Sequence, residues 1–311
     1  MMTHSKQPWH ILGAGAIGSL WACHLALAGH PVRLILRNPA ALQHFSGSIE
    51  LHTQEAEQHI GMPAELADQG TPIQHLLVTT KSFATASAIA SVRHRLTPSS
   101  VIVLLQNGMG QQQQLANQLP EIAVYAGTTT EGAYRTGPQQ LVHAGRGASW
   151  IGPMNALACS QDRAVLDSLL QLPLTTDYDD RIINRLWQKL AINAAINGLT
   201  AIHNCRNGQL ALDADYRQQM QQLCTEVEQL AAALQQPLFD RPLLEIALQI
   251  ATATASNFSS MQQDVLHQRH TEIDFINGYI CSEAQSLGID TPHNQALVDT
   301  ITSMHPHSTE N

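Results

Sequence analysis

The chain has 311 residues, enough for two domains or one large one with a sizeable buried core. Hydrophobic residues make up 44% and charged residues only 13%, which excludes a disordered chain, since such chains are charge-rich and apolar-poor. A formal net charge of -9 with 16 Lys+Arg and no basic stripe argues against a nucleic-acid partner, although scattered cations such as Arg37, Lys81 and Lys189 suit an anionic small ligand.

The N-terminal MMTHSKQPWHILGAGAIG lacks the charge, apolar stretch and cleavage site of a secretory leader. No window approaches the roughly eighteen unbroken apolar residues of a membrane span. The expectation is a cytoplasmic protein, monomeric or homodimeric, with no membrane partner. Trp9 to Leu12 reads as a short buried strand, Ala16 to Ala28 as a helix ended by Gly29, and Val32 to Leu36 as a second strand. His75 to Thr80 (HLLVTT) and Val101 to Leu105 (VIVLL) are continuous apolar runs, as expected of central parallel strands covered on both faces. Strands separated by helical stretches imply right-handed crossovers and a doubly wound α/β sheet.

The four-glutamine run Gln111–Gln114 reads as a solvated helix face. Between about Gly127 and Pro153, short alternating runs rich in Gly and Thr predict hairpin-like strands extending the sheet. From about Asp179 the pattern becomes helical. Helices are predicted over Asn184–Leu199, Tyr216–Leu234, Pro242–Thr254 and His270–Leu287, with a frayed tail after them. The predicted division is a Rossmann domain over 1–180 and an all-α domain over 181–311. The five cysteines, Cys23, Cys159, Cys205, Cys224 and Cys281, form no CxxC pair, and reduced, mostly buried thiols are expected.

Gly13-Ala14-Gly15-Ala16-Ile17-Gly18 is a GxGxxG that follows a strand and opens a helix. In that context the first glycine allows a tight turn. The second lets backbone approach a pyrophosphate, and the third lets helix and strand pack closely. The helix N-terminus then offers free N–H groups to the phosphates. A glycine-rich turn with no ligand is the competing reading. The second strand ends in Arg37-Asn38, where an NAD enzyme usually places Asp or Glu for the ribose 2′-hydroxyl. An arginine attracts a 2′-phosphate and stacks on adenine, so NADP is favoured over NAD, against a surface arginine with no ligand. Lys81 and Asn107 (in QNGMG) follow the next two strands and should face the nicotinamide half. A solvated lysine and a turn asparagine are the bland alternatives.

The segment NRLWQKLAINAAINGLT places Lys189, Asn193 and Asn197 at i, i+4 and i+8, one stripe drifting by roughly 40° per step on a helix apolar almost all round. Burying a lysine and two amides without partners is costly, at about 1–3 kcal/mol per amide and more for a charge. A substrate in a cleft is the predicted partner, and water along the helix is the alternative. Desolvation also eases proton release from a lysine, which suits a general acid. Further on, Ser260 with Gln263 reads as an S-x-x-Q capping box, so a structural role stands beside a binding one. Glu272 is predicted at a helix start, where a carboxylate suits the dipole. The pairs His267/His270 and His305/His307 lack a third ligand at motif spacing, and no metal is expected.

GAGAIG, then QNGMG after a strand, then WQKLAINAAINGLTAIHNCRNG, then SSMQQD followed by RHTEIDFINGY occur in the order seen in the ketopantoate reductase (2-dehydropantoate 2-reductase) family, from about Trp9 to about Pro292. The chain resembles that family. The resemblance implies a Rossmann domain followed by a helical domain like that of 6-phosphogluconate dehydrogenase. It implies NADPH-dependent reduction of 2-dehydropantoate to (R)-pantoate, in pantothenate and coenzyme A synthesis. It makes Lys189 the general acid, and Asn193, Asn197, Asn207 and Ser260, with Asn257, the substrate-binding set. It makes Arg37 the 2′-phosphate ligand and puts Lys81, Asn107 and Ala133 at cofactor-contact positions. Glu272 falls where the family has a carboxylate near the nicotinamide ribose and active site. Gly198 stands where the family often has proline, and a looser helix end is expected there. Two other readings are a reductase of another small 2-keto acid and a non-catalytic NADP-binding redox sensor. The sensor has no need of Lys189 or Glu272.

Overall fold

The computed structural model describes residues 7–304. It divides into two compact units. One comprises Met1–Gln106 and Gln111–Ile182, the other Asn107–Gly110 and Ile183–Asn311.

Among its described residues the first unit contains twelve strands: β1 (Trp9–Leu12), β2 (Val32–Leu36), β3 (Ser48–His52), β4 (Glu57–Gly61), β5 (Ala64–Leu66), β6 (Ile73–Val78), β7 (Leu96–Leu104), β8 (Ala123–Thr129), β9 (Gly132–Gly137), β10 (Gln140–Gly145), β11 (Ser149–Pro153) and β12 (Thr176–Tyr178). Eight of them form one sheet in the order β12-β11-β8-β7-β6-β1-β2-β5. From β5 to β8 every neighbouring pair is parallel, and β11 runs antiparallel to β8. Parallel strands must be covered on both faces. Accordingly Ile11, Leu77 and Val103 enter one core cluster while Leu12, Leu76, Val78, Ile102 and Leu104 enter the other. The order puts β1 in the middle, so the loop after it opens at the carboxyl edge where ligands of such sheets bind.

The predicted hairpin is present as β9–β10, but only β8 and β11 extend the main sheet. β9 and β10 join β3 and β4 in a second sheet of order β4-β3-β10-β9. Its register pairs Leu141 with Leu51, and both are buried with Ile49 and Ile60 in the same cluster as Leu20, Trp21 and Leu25 of the Ala16–Leu27 helix. Alternation marked the strands; the apolar outer side of that helix decided their partners. The Gln111–Gln118 helix buries Gln111 and Gln112 and exposes Gln113 and Gln114, so only half of the glutamine run is solvated.

The second unit is helical, with no strand among its described residues. Its helices are Ile182–Ile202, which starts one residue before the unit, then Asn207–Leu212, Ala214–Ala233, Leu243–Ala253, Ser260–Leu266, Asn277–Ser286 and Pro292–Met304. The single helix predicted over His270–Leu287 does not form. A 3-10 turn, Ile273–Phe275, precedes a helix that begins only at Asn277. The Phe275 carbonyl accepts the Met109 amide at 2.9 Å instead of continuing a helix, and Ile276 leaves the helical region at φ -109, ψ -88. Ile273, Ile276, Ile280 and Ala284 are all buried, so the apolar stripe runs unbroken across the interruption. At Gly198 the expected loosening is also missing. The helix continues to Ile202, and a Cβ on Gly198 would stand 2.5 Å from Leu297 Cδ2. The glycine is the seat on which the Pro292–Met304 helix packs.

Among the described residues no cysteine is paired, and Cys23, Cys205 and Cys224 are buried. Among the described residues no helix is long and apolar enough to cross a membrane. His305 and His307 lie outside the described residues. His267 and His270 are exposed.

Candidate active site

The glycine loop takes the shape its sequence requires. Gly13 has φ +108, and a Cβ there would stand 2.5 Å from the Thr80 amide nitrogen. Thr79 Oγ1 donates to the Gly13 carbonyl at 2.6 Å, tying the loop to the end of β6. A Cβ on Gly18 would collide with both the Gly13 carbonyl oxygen and Thr79 Oγ1, so only glycine lets the helix lie this close. Gly15 differs. It is the exposed N-cap of the Ala16–Leu27 helix, makes no side-chain cap bond, and a Cβ on it would meet nothing within 4 Å. The first and third glycines serve packing, while the second borders open space at the helix N-terminus. Ala14, Ala16 and Ile17 are only partly buried around it. Such a cradle fits the pyrophosphate of a dinucleotide.

Arg37 is exposed at the carboxyl end of β2, and the neighbouring Asn38 caps the Pro39–Gln43 helix through a 2.8 Å bond from the Ala41 amide. Lys81 stands past the end of β6 as the N-cap of the Ser82–Ala84 turn. Ala133 lies on β9, in the second sheet, and packs against the core beneath the Ala16–Leu27 helix.

In the helical unit three of the singled-out residues come together. Asn107 Nδ2 donates to Glu272 Oε2 at 3.3 Å, and Glu272 is only 4% exposed. Lys189 is the charged neighbour of Glu272. Burial pushes the lysine down from its usual 10.5 to about 8, and the Glu272 carboxylate opposes that fall. By surface area Lys189 is half-buried rather than sealed. Desolvation is the larger of the two influences on its proton affinity. A shift of this size makes the charged form on the order of 3 kcal/mol less favourable than in water. The group is therefore a cation at neutral pH that gives up its proton readily. Asn193 and Asn197 follow on the next two turns, the first half-buried and the second buried.

The remaining candidates line up along the other end of the same helix. Asn207 opens the Asn207–Leu212 helix. Its Nδ2 donates to Thr254 Oγ1 at 2.9 Å and its amide to the Asn257 carbonyl at 3.0 Å. Asn257 and Ser260 are exposed. The capping assignment shifts by one residue: the N-cap is Ser259, whose Oγ accepts the Gln262 amide at 3.0 Å. Ser259 Oγ also accepts from Thr200 Oγ1 at 2.8 Å, and Thr200 Oγ1 lies 2.9 Å from the Asn197 carbonyl. That link ties the serine loop to the Asn197 turn and leaves Ser260 uncommitted to the cap. Glu272 caps the Ile273–Phe275 turn in position only, with no side-chain cap bond. Sequence reasoning missed the Phe275 carbonyl and the contact of Trp187 with Tyr279, whose ring centroids are 5.9 Å apart.

Comparison with known proteins is consistent over 94% of the chain. The family described as Ketopantoate reductase PanE/ApbA matches residues 9–156, and its C-terminal counterpart matches residues 181–305. A 2-dehydropantoate 2-reductase of Vibrio cholerae is 35% identical over 298 residues, covering 94% of this chain and 96% of the relative. One from Archaeoglobus fulgidus is 28% identical, covering 94% and 95%. Among solved structures, a PanE/ApbA family ketopantoate reductase from Ralstonia eutropha JMP134 superposes with a TM-score of 0.82 at 29% identity, over 96% of this chain and 98% of that one. A D-mandelate dehydrogenase in complex with NADH and anilino(oxo)acetate superposes with a TM-score of 0.86 at 21% identity, covering 96% and 98%, a likeness of fold alone.

Proposed function

The chain belongs to the ketopantoate reductase family, an oxidoreductase family with a nicotinamide cofactor, and we propose that it reduces 2-dehydropantoate to pantoate with NADPH. The observation that carries this reading is the gathering of Asn107, Lys189 and Glu272 in the helical unit, with a lysine poised near 8. NADPH supplies the hydride when bound. Lys189 delivers its proton to the ketone oxygen as charge develops there, and Glu272 holds that proton on the lysine until it is needed. Asn107, Asn193, Asn197, Asn207, Asn257 and Ser260 offer amide and hydroxyl groups to the keto acid. Residues 13–18 offer backbone N–H groups to the pyrophosphate, with Lys81 and Ala133 as further cofactor contacts. Arg37 takes the 2′-phosphate.

Two measurements test the proposal. Steady-state rates with a panel of 2-keto acids should rank 2-dehydropantoate first; turnover of a different keto acid with none for this one would overturn the substrate assignment. Arg37→Ala should raise the KM for NADPH by about tenfold to 100-fold, the ~1.5–3 kcal/mol of a charge-assisted hydrogen bond, and leave that for NADH nearly unchanged. Equal effects on the two cofactors would remove Arg37 from the 2′-phosphate.

A further inference from the structure

The Asn107–Gly110 segment is gripped by the residues just beyond Glu272. The Met109 amide donates to the Phe275 carbonyl at 2.9 Å. Gly108 has φ +73, and a Cβ there would collide with that same carbonyl oxygen and stand 2.8 Å from its carbon. These are backbone atoms, which cannot rotate aside as a side chain can. Gly110 also has a positive φ, +104, but its Cβ would meet only the Tyr279 ring, at 3.3 Å from Cδ2. The bond that depends on this grip, Asn107 Nδ2 to Glu272 Oε2, is already long at 3.3 Å, so a displacement of a few tenths of an ångström breaks it.

We propose that Gly108 is a positioning residue: its bare Cα lets the Phe275 carbonyl take the Met109 amide, and this backbone clasp holds the Asn107 amide on the Glu272 carboxylate. The clasp spans three residues on one side, Asn107 to Met109, and four on the other, Glu272 to Phe275, and the Phe275 amide returns to the Glu272 carbonyl at 3.1 Å. Glu272 is thereby fixed from two directions. The inference rests on the reductase reading above, in which Glu272 acts on the proton donor Lys189.

The test uses the full chain with NADPH and 2-dehydropantoate from pH 6 to 10. Wild-type kcat should hold steady below about 8 and fall above it. Gly108→Ala should lower kcat by about 100-fold, the scale of a misplacement near 1 Å, and move the break down by at least about half a pH unit as the carboxylate retreats from the lysine. Gly110→Ala carries comparable backbone strain yet should keep the break in place and kcat within about threefold. Asn107→Ala adds no Cβ near Phe275, so it gives the same downward shift even where Gly108→Ala does not fold. The proposal is overturned if Gly108→Ala folds with an unmoved break, or if Asn107→Ala leaves the break unmoved. A wild type that turns over no 2-dehydropantoate sinks the substrate assignment instead. The clasp is then read from amide exchange at Met109, which Gly108→Ala must accelerate if the clasp is real.

Discussion

Replacing Lys189 by alanine should lower kcat for ketone reduction by about 10²–10⁴-fold, the usual contribution of a positioned general acid. NADPH affinity should change by less than about threefold, because the proposed reading assigns it to the glycine loop and Arg37 rather than to Lys189. The wild-type pH dependence has a definite sign. Burial lowers the Lys189 ammonium to about 8 and Glu272 partly offsets that fall, so the acid form is complete below that pH and is lost as pH rises through it. Reduction should therefore decline above about pH 8, by tenfold per unit at the limit. Oxidation of the hydroxy acid needs the neutral amine, so its rate should rise through the same pH. A Lys189→Ala enzyme with near-full kcat, or one keeping the wild-type break, would remove Lys189 from the acid role.

The second large effect concerns the glycine loop, where two substitutions should separate packing from binding. Gly18→Ala drives a Cβ into the Gly13 carbonyl and Thr79 Oγ1, which are hydrogen-bonded to each other. It should cost about 1–3 kcal/mol of stability, the scale of overpacking, and abolish measurable NADPH binding, since the loop it distorts is the one proposed to meet the pyrophosphate. Gly15→Ala adds a Cβ into open space. It should keep the thermal midpoint of the wild type and still weaken NADPH by at least about tenfold, ~1.4 kcal/mol, by standing where the proposed reading brings the phosphates. Thermal unfolding and fluorescence titration of the two variants read these outcomes. A Gly15→Ala protein that binds NADPH as tightly as wild type would place the pyrophosphate elsewhere.

These predictions draw on features of very different legibility. The strand, glycine loop and helix of residues 9–27 were plain in the sequence because each glycine answers a local demand: a positive φ at Gly13, an open N-cap at Gly15 and a close approach at Gly18. Strand partnership was not plain. β3 and β4 alternate weakly, and what recruits β9 and β10 to them is an apolar helix face distant in sequence. The stripe of Lys189, Asn193 and Asn197 was readable from spacing, whereas the role of Glu272 came only with the family resemblance, because nothing local distinguishes it from a helix-start carboxylate. Two small errors have clear causes. Adjacent serines and adjacent glutamines give two S-x-x-Q registers, Ser259 with Gln262 and Ser260 with Gln263, and the structure uses the first. The break before Asn277 was hidden because the buried positions keep helical spacing across it, while its cause, the Met109 amide, lies more than 160 residues earlier in the chain.

The central claim is that this chain moves hydride from NADPH to the keto carbon of 2-dehydropantoate. The most direct measurement is the mass of the product formed from NADPH deuterated at C4, prepared separately on each face of the nicotinamide. Pantoate one mass unit heavier from one of the two labelled cofactors, and unlabelled from the other, is the result expected. No pantoate, or pantoate without label from either cofactor, would contradict the assignment.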